Sequence, residues 1–137
     1  MDDETLTTRL CEIVGAVPSF AWRPYGPNYT DTEIGVFYGT IPDAPDRAVG
    51  IRVYSPIDEP NLLSRRVQLY VRGRRHQPFG ADRIADVLFA VLHERPRGDG
   101  MASIFRTSAA SLGADDNGRE ERTENYLITL DNLEASS

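Results

Sequence analysis

At 137 residues the chain fits one domain, residues 1–137. Folding at such a length removes roughly 65–70% of the extended-chain surface from water, so the core needs no disulfide or metal staple. A composition of 40% hydrophobic and 26% charged residues excludes wholesale disorder, and the net charge of −6 argues against gripping nucleic acid by its phosphates.

One cysteine, Cys11, excludes an internal disulfide, and with two histidines it excludes a zinc cluster, so no metal and no cofactor is expected. No run approaches 18 apolar residues and the chain begins MDDETLTTR, acidic where a secretory leader is basic, so no membrane partner and no export are expected. All 15 cations are arginine. A GC-rich coding sequence explains that bias, and a preference for planar contacts at interfaces is the functional alternative.

Residues 3–17 carry Leu6, Leu10, Ile13, Val14 and Val17 at helical spacing, behind the acidic start Asp2, Asp3 and Glu4. Pro18 stops this helix. A weak strand follows, and then 33–40 alternates, with Ile34, Val36 and Tyr38 against Gly35, Phe37 and Gly39. IPDAPDR (41–47) reads as a turn or loop, Val49, Ile51 and Val53 mark a second clear strand, and 55–64 reads as a longer loop. Val67, Leu69 and Val71 mark a third.

Residues 81–94 form the clearest helix, with Ile84, Val87, Leu88, Val91 and Leu92 as its stripe, opened by Gly80 and ended by Arg95-Pro96. Ile104–Thr107 and Asn125–Leu130 read as closing strands around a tight turn at Asn117-Gly118. Runs of strands flanked by helices predict an α+β domain: a mostly antiparallel sheet of about five to six strands with two helices packed on one face.

The aliphatic side of each strand faces the helices, which leaves Phe37, Arg52, Tyr54, Gln68, Tyr70 and Arg72 on the other sheet face. Five of these six are aromatic or arginine, the types enriched where protein surfaces meet. An ordinary solvated face competes with a protomer or partner interface for this pattern.

No catalytic residue is expected. Ser111 lacks the preceding glycine of a nucleophile elbow, Cys11 sits mid-helix as a small hydrophobe, His93 suits the C-terminal end of a helix dipole and His76 belongs to a loop. Asp115, Asn117, Gly118 and Glu124 match some EF-hand positions, but Gly113 stands at the first ligand position and strands flank the motif, so a hairpin turn is expected. The paired acids Asp58-Glu59, Asp115-Asp116 and Glu120-Glu121 read as solvated loop charge. Arg72, Arg74, Arg75 and His76 cluster at a strand end without a basic helix or stacking platform, which suits a solvated end or a protein contact better than nucleic acid.

TEIGVFYGTIPDAPDRAVGIRVYS (32–55) resembles the strand, Pro-Asp loop and strand of the small minor capsid proteins encoded in tailed-phage morphogenesis modules. RTSAASLGADDNGREERTENYLITL (106–130) resembles their closing hairpin, and VQLYVRG and ADRIADVLFAVLH fit between them in the same order. These proteins are similar to tail terminators of long-tailed phages. The resemblance implies a virion protein, without an active site, that forms a hexameric ring on the head-proximal end of the tail tube. Its implied partners are further copies of itself, the tail tube protein and a neck (head-completion, or stopper) protein, with DNA passing through the lumen unbound. A stopper of the neck and a small cytoplasmic protein-binding module are the alternative readings.

Overall fold

The computed structural model describes residues 1–59 and 62–131. Its elements are α1 (Asp3–Gly15), β1 (Phe20–Trp22), β2 (Ile34–Tyr38), β3 (Ala48–Glu59), β4 (Leu62–Arg75), α2 (Gly80–Leu92), β5 (Met101–Ala114) and β6 (Arg119–Leu130). The strands form one six-stranded sheet in the order β1-β2-β3-β4-β6-β5. β1 and β2, and β2 and β3, run parallel; every other neighbouring pair is antiparallel. This is the α+β domain that the patterning predicts.

α1 starts where the Asp2 carboxylate accepts the Thr5 amide at 2.7 Å, with Asp3 and Glu4 at the positive end of the helix dipole. It ends at Gly15, two residues before the predicted limit. A side chain at Gly15 would overlap Trp22, so glycine lets the helix end lie against β1. Leu6, Leu10, Cys11 and Val14 are buried, and Ile13 and Val17 pack half-buried at the margin. Burial pushes the Cys11 thiol up to about 12, aided by Glu12, so it is the inert hydrophobe its position predicts.

The helices meet Val36, Val49, Ile51, Val67, Leu69 and Val71, all buried, from one side of the sheet. Each such side chain contributes about 1.5–3 kcal/mol of gross transfer free energy. On α2 the buried stripe is Ala81, Ile84, Ala85, Leu88 and Leu92, whereas Val87 is 40% exposed. The predicted stripe therefore sits slightly rotated, because alanines allow α2 to lie close on β4. Tyr38, predicted on the apolar side of its strand, is exposed at the end of β2.

The loop expected at 55–64 is shorter than predicted. Residues 55–59 continue β3 and 62–64 begin β4, and the intervening 60–61 lie outside the described residues. β2 ends opposite Ile51, so from Arg52 onward β3 is a free edge, where Pro56 is tolerated without its amide hydrogen. The segment 112–121 is strand except for the turn between Ala114 and Arg119. Gly118 takes φ +73° there, and the Asp115 amide donates to the Arg119 carbonyl at 2.9 Å. Within 96–102, Gly98 bridges to Met101 and β5 has already begun.

The β5–β6 hairpin thus extends well beyond Ile104–Thr107 and Asn125–Leu130. Two causes hid it. Thr107–Ala114 lies exposed at the sheet edge and has no buried side to pattern its sequence. On β6 the buried positions under α2 include Glu124, 0% exposed, held by Arg106 at 3.2 Å and Arg122 at 3.4 Å. Charge replaces the aliphatic signal there.

Candidate assembly interface

The chain crosses from β2 to β3 through residues 39–47, and this loop lies over the sheet face that the helices leave bare. Gly35 and Gly50 make room for it. A Cβ on Gly50 would overlap the Gly39 carbonyl oxygen and touch Ile41, and one on Gly35 would press on Phe37 and Pro45.

Arg72 holds the loop down. Its Nε donates to the Asp46 carbonyl at 2.8 Å, and its Nη2 donates to the carbonyls of Pro42 and Pro45, each at 2.8 Å. The residue is 6% exposed, and burial, then Arg119, depresses its pKa. Arg119, 3% exposed, holds the same loop from the hairpin side. It pairs with Asp43 at 2.9 Å, Asp46 at 3.3 Å and Asp115 at 2.8 Å. Two arginines therefore fasten the β2–β3 loop and the β5–β6 turn into one unit.

Beside this unit lies an open groove of about 300 Å³, lined by Arg52, Gln68, Tyr70 and Arg72 together with Ile41 and Glu121. Four of the six residues predicted for an interface thus converge. Arg52 and Tyr54 are exposed and Tyr70 is half-buried. Gln68 is also half-buried, its Nε2 donating to Asn125 Oδ1 at 3.3 Å.

Arg72, although it lines the groove, and Phe37 are not free side chains on this face. The Arg72 guanidinium lies under the 39–47 loop and is engaged with backbone carbonyls, so within the protomer it positions the surface instead of forming it. Phe37 is covered by Tyr29, with ring centroids 4.9 Å apart, because Tyr29 is anchored by donating its hydroxyl to the Val36 carbonyl at 3.0 Å. Nothing in the strand alternation announces an arginine clamp. Ile41 and Glu121 were missed because one lies in a loop and the other in a charged run. Burial raises the Glu121 carboxyl above its ordinary value.

The remaining candidates have structural partners. Asp115 Oδ1 accepts the amides of Asn117 and Arg119, each at 2.9 Å, while Glu124 points under α2, so the calcium-like positions do not converge. Asp115 is accordingly bound, and not the solvated charge that its loop position suggests. His93 Nδ1 accepts the Arg106 amide at 3.0 Å, which caps the edge of β5, a role distinct from the predicted charge at a helix end. Among the described residues, no group of three or more His, Cys, Asp or Glu side chains is arranged to hold a metal ion, and no helix is long and apolar enough to cross a membrane.

The fold is thus a two-layer α+β domain that carries arginine and tyrosine on the sheet face its helices leave bare. The sequence agrees with the family model described as bacteriophage tail terminator protein over residues 16–132, and the chain belongs to that family. Comparison with curated proteins gives no match. Membership of that family supports a tail terminator role and implies a component of the virion.

Proposed function

We propose that the protein assembles as a hexameric ring on the head-proximal end of the tail tube, where it stops tube polymerisation and joins the tail to the neck. The observation that carries this reading is the groove at Arg52, Gln68 and Tyr70, a preformed contact surface on a rigid, clamped sheet face. A cap must match the last tube ring on one side and offer no site for another tube subunit on the other. Such a device works by shape. It needs surfaces that are fixed before contact, and the Arg72 and Arg119 clamps supply that rigidity.

The net charge of −6 supports a lumen through which DNA slides without being held. The heterologous contacts of a ring close after a fixed rotation, whereas a rotation that does not close gives a filament. The test is electron microscopy of particles made by phage lacking this protein. Overlong tails, or tails unattached to heads, are expected; joined tails of normal length would reject the role.

A further inference from the structure

On the helix side of the sheet, a cleft of about 200 Å³ separates the N-terminal half of α2 from β1 and β2. Its apolar walls include Phe20, Ile34, Ile84 and Val87, and two arginines, Arg47 and Arg83, stand in it. Arg47 donates one Nη2 hydrogen bond to the Thr32 carbonyl, yet its Nε is buried without a partner and, among the described residues, no carboxylate pairs with it. Burial and then Arg74 push its pKa down. Arg83 is exposed and makes no side-chain hydrogen bond or ion pair among the described residues. Elsewhere Arg23, Arg75, Arg97, Arg119 and Arg122 are each paired with a carboxylate. A cation against an apolar wall, with an orphaned donor and like charge nearby, is arranged for an incoming anion.

The chain itself carries a matching group. Asp116 stands exposed at the tip of the β5–β6 hairpin with no side-chain hydrogen bond or ion pair among the described residues, and Leu112, on the β5 side of that hairpin, is 53% exposed. The tip is held rigid by the Asp115 turn and by Arg119. Arg119 fastens it to Asp43 of the 39–47 loop, and Asp116 forms no ion pair with Arg47 or Arg83 of its own copy.

We propose that the hairpin tip of one copy docks in this cleft of the next, with Asp116 meeting Arg47 and Arg83 and Leu112 covering the apolar wall. Tip and cleft are different surfaces, so the contact is heterologous, as a ring requires. The inference rests on the ring reading and names the lateral contact within it.

Charge reversal tests it on the purified full-length chain. Arg83→Glu and Asp116→Arg both change exposed residues, and thermal melts verify folding of each variant. Association is measured by light scattering and sedimentation. Each single reversal is expected to weaken association about tenfold or more, and the double reversal to recover at least about threefold of that loss, the remainder being lost because Arg47 still opposes the reversed position 116. Singles that associate like the original chain overturn the contact, as does a double variant no better than its parents. A wild-type chain that stays monomeric at the highest soluble concentration overturns it too. Rings indifferent to these changes would leave the tail role standing. Rescue by the double variant, together with normal tails in phage lacking the protein, would keep the contact and reject the role.

Discussion

Arg119 Nη2 donates to the Asp43 carboxylate at 2.9 Å across 76 residues of sequence, joining the β5–β6 turn to the β2–β3 loop. Asp43 is itself largely exposed, so the pair alone contributes little in water. Arg119 is nearly buried and serves three carboxylates, which makes it the member whose loss matters.

Arg119→Met is expected to destabilise the fold by about 2–3 kcal/mol, because it leaves Asp115 partly buried without its cation and Asp46 with Arg75 alone. Urea denaturation measures this. A midpoint unchanged from the original chain would show that the clamp is decorative.

Gly50→Ala tests the loop crossing. The added methyl collides with the Gly39 carbonyl, which is backbone and cannot rotate away. A loss of about 1–3 kcal/mol is expected. It should be accompanied by faster amide exchange in residues 39–47, because the loop must lift off Arg72.

Tyr126→Phe probes a different economy. The hydroxyl is buried without a partner, the side chain is 1% exposed, and burial pushes the phenol up to about 12. Removing an unsatisfied polar atom is expected to leave stability unchanged or to raise it by up to about 1 kcal/mol. A loss of more than about 1 kcal/mol in thermal or urea melts would reveal a bond that the structure does not contain.

Acid sensitivity follows from three carboxylates. The Arg23 hydrogen bond, followed by the Thr30 amide, holds Glu33 down to about 2. Burial acts to raise Asp46 and Asp115, but Arg75 hydrogen bonds on Asp46 and Arg119 hydrogen bonds on Asp115 prevail and leave both below the ordinary value. A depressed folded pKa gives stability that is present above the unfolded value and lost as pH falls through the folded one. Melting temperature should therefore decline between about pH 4.5 and 2, and Glu33→Gln should flatten part of that slope. Glu121, raised by burial, has the opposite sign: its charged form is disfavoured by folding, so Glu121→Gln should stabilise at pH 7 and have no effect in acid.

The sheet, both helices and the bare face were legible because Val49, Ile51, Val67, Leu69 and Val71 alternate cleanly against an apolar helical layer. The pattern failed where burial is polar or absent. Arg122 and Glu124 take inward places on β6 that aliphatics would have marked, and Thr107–Ala114 has no buried side at all. Of the six residues predicted for an interface, Arg52, Gln68 and Tyr70 line the groove on the face that alternation predicts, and Tyr54 is exposed beside the register shift in β3. Arg72 has the same parity but is covered by a loop that strand periodicity does not describe.

The most direct test is a cryo-electron microscopy map of the neck in an intact particle. The expected map shows a ring of this chain at the end of the tube, with Arg52, Tyr54, Gln68 and Tyr70 covered by a neighbouring polypeptide. A ring in which those four side chains face open solvent would contradict it.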